Sequence, residues 1–226
     1  MKKLVLAALF LSISAFSCGV TVPRADVGDF TAPTESATEP PTEPPTEPPT
    51  EGNPPPVEVN PQMPEGYKLA KKCVIDGFEA VLQNPELPTG CEITALTQTL
   101  NFYGFDIDKV TLCDTFMPTD FDGYYNMDKV YLGNPRATNG FGCNSPVIKK
   151  AANDYFDYLG SDWYALELTG ISLQEVLYQV EQGHPVIVWS TIGQRETHAT
   201  FQFRLGCGED FYFIGYQHCL TVYGFD

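Results

Sequence analysis

The chain has 226 residues, with 13 Lys and Arg against 29 Asp and Glu and a formal net charge of −16, a length that fits one domain with appendages. That sign of charge leaves no basic footprint for phosphates and argues against a nucleic-acid binder or a polybasic membrane-surface protein. The one apolar run that could touch a bilayer core, Leu4 to Phe16, is too short to span it as a helix, which excludes a channel or transporter.

Residues 1–18 read as an export signal: Lys2 and Lys3 supply the positive start, Leu4 to Phe16 the apolar run, and small residues lead to Cys18. Cys18, between Ser17 and Gly19, resembles the cysteine of bacterial lipoprotein signals, which is lipidated and becomes the mature N-terminus. Plain secretion is the alternative. The expected location is therefore extracytoplasmic, lipid-anchored to the cell membrane or secreted. Residues 19–65 read as a disordered linker rich in Pro, Thr and Glu. Between Thr31 and Pro64 lie 12 of the 19 prolines, with TEPP repeated three times from Thr38. Proline fixes φ and removes a donor, so this stretch makes neither helix nor sheet ladder. It is expected to be extended polyproline II, with a reach on the order of 100 Å at about 3 Å per residue. It is a stalk for the folded part, residues 66–226.

In that part, Cys73 to Leu82 reads as extended from its alternation. Asn84 to Gly90 is a proline-rich loop. Glu92 to Tyr103 reads as a helix, with Ile93, Leu96, Leu100 and Tyr103 at helical spacing and Gly104 as the stop. Residues 113–144 read as irregular. Ser145-Pro146 opens a second helix to about Leu159, with Ser145 as cap. Ser172 to Glu175 is a capping box for a third helix ending at Gly183. Pro185 to Ser190, Phe201 to Leu205, Phe211 to Tyr216 and His218 to Tyr223 read as strands. Helices first and strands last predict an α+β domain, a helical part packed on an antiparallel sheet.

Cys91 has the most suggestive chemical setting of the seven cysteines. It follows a Pro-Thr-Gly turn at the first turn of a helix, where unpaired N–H groups and the helix dipole favour thiolate and an oxyanion. A nucleophilic cysteine needs a base, and His218, 127 residues downstream on a strand, suits a Cys-first, His-later order. On these features alone a buried cysteine or half of a disulfide stays open for Cys91, and a satisfied strand histidine for His218. His184, at a helix-to-strand turn, and His198, in a polar segment, read as surface residues. Trp163, Tyr164 and Trp189 read as core or cleft wall. Cys73, Cys113, Cys143, Cys207 and Cys219 allow at most two disulfides among themselves, with the connectivity open. No C-x-x-C pair or Cys/His cluster has ligand spacing, so no metal is expected.

The stretch Gln83-Asn-Pro-Glu-Leu-Pro-Thr-Gly-Cys91-Glu-Ile-Thr-Ala-Leu resembles the nucleophile motif of the bacteriocin-processing (double-glycine leader) peptidase-like family of papain-like cysteine peptidases. So do Gly133-Asn-Pro, Gly140-Phe-Gly-Cys-Asn-Ser-Pro-Val-Ile, Gln182-Gly-His-Pro-Val-Ile-Val-Trp189 and His218-Cys-Leu-Thr-Val-Tyr-Gly-Phe-Asp226. The resemblance implies a papain-like fold, Cys91 as nucleophile, His218 as general base and acid, and Gln83 as oxyanion donor. It implies a peptide or protein substrate and no cofactor. It also implies an Asp or Asn orienting the imidazole from the strand after the histidine. Eight residues follow His218, so that residue is not seen: either the sequence stops short of the complete gene product or the final strands are missing. The expected function is an exported thiol peptidase. The alternatives are a non-catalytic surface binding module on the same fold, or a related acyl-transfer or cell-wall amidase activity.

Overall fold

A computed structural model describes residues 9–12 and 52–226 of the chain. Cys18 and most of the export signal and linker lie outside the described residues. In chain order the elements are β1 (Leu9–Ser12), β2 (Cys73–Val74), α1 (Cys91–Phe102), α2 (Lys109–Phe116), β3 (Thr119–Asp120), β4 (Tyr131–Leu132), α3 (Ser145–Tyr158), α4 (Leu173–Glu181), β5 (Val186–Thr191), β6 (Ala199–Arg204), β7 (Asp210–Ile214), β8 (Gln217–Val222) and β9 (Gly224–Phe225).

Helix α1 is the centre of the domain. Ile93, Leu96 and Leu100 are fully buried, and so, on its other sides, are Thr94, Thr97 and Thr99. Polar side chains buried on a helix must be satisfied internally. The three threonine hydroxyls do so by donating to the carbonyls of Gly90, Ile93 and Ala95, one turn back, each at 2.8 Å. The helix stops where expected: Gly104 takes φ +91° and Phe105 N–H donates to Leu100 O.

Strand β8 runs antiparallel to β5, with Trp189 opposite Cys219 and Ser190 opposite His218. Cys219 and Thr221 of β8 are buried, and Gln98 of α1 donates to Thr221 Oγ1 at 2.7 Å, docking helix to strand. β1 pairs in parallel with the other edge of β5. β2 pairs with β9 and β6 with β7, both antiparallel, and β3 with β4 in parallel. One core cluster joins α1, α2 and α3 to Ile187, Trp189 and Cys219, and a second joins α4 to β5. A third lies under the β6–β7 hairpin, around Met127, Leu132, Leu205 and Phe211.

The structure departs from the sequence reading in five places. Leu9–Ser12, within the stretch read as an export signal, pairs with β5 as β1. Only Cys73–Val74 of the expected extended segment 73–82 pairs as a strand, because Gly77 turns the chain at φ +75°. Helix α2 runs into the stretch read as irregular, capped by Asp108, whose carboxylate accepts from Val110 N–H and Thr111 N–H at 2.9 Å each. Asn144, not Ser145, is the cap residue of α3. Ser145 is already helical and its hydroxyl donates to Glu167 Oε1 at 2.7 Å. Finally, residues 53–60 of the proline-rich stretch lie on the domain. Trp163 Nε1–H donates to Pro54 O at 2.7 Å, Gln179 Nε2 donates to Asn60 O at 2.9 Å, and Val59 is buried. The capping box of α4 forms as read: Glu175 N–H donates to Ser172 Oγ, and Ser172 N–H donates to the Glu175 carboxylate.

Candidate active site

The turn that delivers Cys91 is held from two sides. Tyr131 on β4, fully buried, donates its hydroxyl to Thr89 O at 2.7 Å, and Thr89 N–H and Oγ1 donate to the carbonyls of Pro135 and Ala137. Lys109 of α2 donates to Leu82 O and, at 2.9 Å, to Gln83 O, and pairs with Glu86. Gly90 caps α1, and a Cβ there would sit 3.0 Å from Leu87 Cβ, too close for any residue with a side chain to fit unchanged. Cys91 is therefore the first helical residue, at the positive end of the α1 dipole. Gln83 lies in the same loop and spends one amide hydrogen on Pro88 O at 2.6 Å.

The half-buried Cys91 thiol has two close polar partners. It accepts from Cys219 N–H at 3.3 Å, and it donates to Glu92 Oε2 at 3.3 Å. Glu92 is itself buried, 2% exposed, and its Oε1 accepts from Cys143 N–H at 3.0 Å. The loop is shaped around this carboxylate: Gly142 takes φ +116°, and a Cβ there would collide with Oε1. Trp189 Nε1–H pins the loop by donating to Cys143 O at 2.8 Å. Burial pushes the Glu92 carboxyl up to about 7, opposed by the Cys143 N–H. Burial, and then the negative charge of Glu92, push the Cys91 thiol well above its ordinary value, opposed by the Cys219 N–H.

His218 sits on β8 one residue before the N–H that holds Cys91 Sγ. Strand alternation turns Cys219 to the core and leaves the imidazole half-buried on the other face. Among the described residues no hydrogen bond joins this ring to Cys91 Sγ. Burial lowers the His218 pKa, which favours the neutral ring near pH 7. The resting arrangement is thus a protonated thiol and a neutral imidazole on adjoining elements. A neutral imidazole can take a thiol proton, and the α1 N-terminus can receive negative charge.

The sequence reading brought Cys91, His218 and Gln83 to one region, and the structure places all three on the elements around the α1 N-terminus. It did not find Glu92, whose one available signal was an acid beside the nucleophile inside an otherwise apolar motif. His184 lies at the α4–β5 turn with Nδ1 3.2 Å from Tyr103 Oη, and His198 is exposed. The six described cysteines are all free thiols. Among the described residues no group of three or more His, Cys, Asp or Glu side chains converges as metal ligands do.

A cysteine opening a buried helix, packed on a histidine-bearing strand of an antiparallel pair, defines an α+β domain of the cysteine-peptidase-like class. Within that class the chain belongs to the Peptidase_C39 like family, whose sequence model matches residues 75–226. It is 32% identical over 111 residues to the uncharacterized protein YvpB of Bacillus subtilis strain 168. That match covers 47% of this chain and 42% of the relative, so the chain spans less than half the length of YvpB. A crystal structure described as that of a candidate C39-like peptidase from Bacillus anthracis matches with a TM-score of 0.59 at 24% identity, over 70% of this chain and 79% of that one. At that identity the likeness concerns the fold, and the α+β architecture expected from the sequence agrees with it.

Proposed function

We propose that the chain is an exported thiol peptidase that hydrolyses peptide bonds of a peptide or protein substrate. Cys91 Sγ attacks the carbonyl carbon, and its proton passes to His218. The Cys91 N–H, with the amide hydrogen of Gln83 not given to Pro88, faces the oxyanion. His218 returns the proton to the leaving amine, and water then releases the acyl group from sulfur. The observation that carries this reading is the Cys91 thiol at the α1 N-terminus, held by the N–H of the residue that follows His218. Family membership supports it. Export through residues 1–18, with a lipid on Cys18 and a stalk after it, belongs to the same proposal and rests on the sequence pattern.

A non-catalytic surface binding module on the same fold is the second reading, favoured by the thiol donating to Glu92 with no bond to the imidazole. The two separate in a labelling and hydrolysis experiment on the full chain as wild type, Cys91→Ala and His218→Ala, near neutral pH. The peptidase reading expects hydrolysis of a mixed peptide library that both substitutions abolish, and electrophile labelling of Cys91 that His218→Ala slows. Labelling indifferent to His218, with no hydrolysis, selects the binding module.

A further inference from the structure

The buried carboxylate beside the nucleophile has no part in the mechanism above. Two features show that it is placed there by design of the surrounding loop. Its Oε1 is bound by a backbone N–H from a segment 51 residues away, and the neighbouring glycine leaves it the space a side chain would fill. No salt bridge reaches it among the described residues. The titratable groups that face it are the thiol of Cys91 on α1, Cys143 of the pinned loop, Tyr131 of β4, Cys113 of α2 and Cys219 of β8. None of these is a cation, so a negative charge at this point is met by the Cys143 N–H and the Cys91 S–H and by no ion pair.

We propose that Glu92 is a positioning residue that sets the protonation state of Cys91. Ionised, it holds the thiol as S–H. Neutral, it turns its own O–H toward sulfur and supports the thiolate. The inference rests on reading Cys91 as the nucleophile. The physical reason is the 3.3 Å separation of Sγ and Oε2. A thiolate beside a carboxylate puts two anions in a site with little water, whereas a neutral carboxyl donates to the thiolate. The protons balance: the carboxyl takes one from solvent, and the thiol proton leaves to the His218 imidazole. The Cys219 N–H stays on sulfur in both states.

The test is the pH dependence of Cys91 alkylation by iodoacetamide, read by mass spectrometry of the Cys91 peptide on the full chain. Glu92→Gln removes the charge and keeps the shape, so its alkylation midpoint is expected to fall by at least about one pH unit. Labelling at pH 8, where wild-type Glu92 is mostly ionised, should then be about 10-fold faster than wild type, with Cys73 and Cys207 unchanged as internal references. Wild type carries its own signature, independent of any variant's folding. Its rate should climb, flatten near neutral pH as Glu92 ionises, and climb again. Coincident midpoints for wild type and Glu92→Gln, slower labelling of the variant, or a single-step wild-type profile overturns the proposal. Such a result leaves the peptidase reading intact. Peptide hydrolysis unaffected by Cys91→Ala would instead sink the peptidase reading without touching the alkylation profile.

Discussion

The stability of the domain should carry the signature of Glu92 as a pH dependence that one substitution removes. Its carboxyl is fully buried and raised from an ordinary 4.5 to about 7. A group whose folded pKa is raised contributes its full stability below the unfolded value and loses it as pH climbs through the folded value. The window here is therefore pH 4.5 to about 7. A shift of about 2.5 units at 1.36 kcal/mol each gives a loss of about 3 kcal/mol across that window, level above it. Glu92→Gln keeps an acceptor for Cys143 N–H and has no charge to bury. In urea denaturation of both proteins at steps from pH 4.5 to 8, the variant should match wild type at the acid end, apart from a constant offset. It should gain on wild type by about 3 kcal/mol by pH 7, on the order of 10 °C in Tm for a domain of this size. Parallel stability curves over the whole range would refute the reasoning, because they would mean that the carboxyl titrates with the same pKa folded and unfolded.

Two further perturbations act on the segments that frame the site. Tyr131→Phe leaves Thr89 O without its 2.7 Å donor in the turn before Cys91. It should cost about 1–3 kcal/mol in chemical denaturation, and an unchanged midpoint would argue that the turn is held without it. Trp163→Phe keeps an aromatic ring in the core and deletes the N–H that Pro54 O accepts. The loss should be about 1 kcal/mol, with faster proteolytic cleavage within residues 53–60 by mass spectrometry. Cleavage at the wild-type rate would show that Val57 and Val59 hold the strap on their own.

What could be read from the sequence was local, and what could not depended on contacts far along the chain. Helix α1 was legible because Ile93, Leu96 and Leu100 recur at its period and Gly104 ends it, so the nucleophile candidate could be placed on a helix N-terminus. Helix α4 was legible because its capping box is contained within four residues. The strand bearing His218 was legible, but the ring's partners were not, since a strand's period says which face a side chain takes and nothing of what meets it there. Segment 73–82 misled because its alternation is real, with Ile75 buried and Val74 exposed, yet its only pairing partner, β9, lies some 150 residues away. Glu92 was hidden for a related reason. An acid in the first turn of a helix is ordinary dipole compensation. Only the arrival of Gly142 and Cys143 from a distant loop makes this one a buried neighbour of sulfur.

Residues 53–60 of the proline-rich stretch bear on how the site is presented. Val57 and Val59, two apart with exposed Glu58 between them, turn inward against α4 and β5, and Asn53 and Pro54 are held by Leu159 O and Trp163. These contacts surround the C-terminal end of α1, where Tyr103 meets Phe102 and Trp163 through ring contacts of about 5 Å. Cys91 is at the other end. Twelve residues at 1.5 Å each separate the two by about 18 Å along one largely buried helix. The strap, α3 and α4 thus meet one end of this helix. The Pro88–Gly90 turn at the other end is held by separate contacts, from Tyr131 to Thr89 O and from Lys109 to Gln83 O.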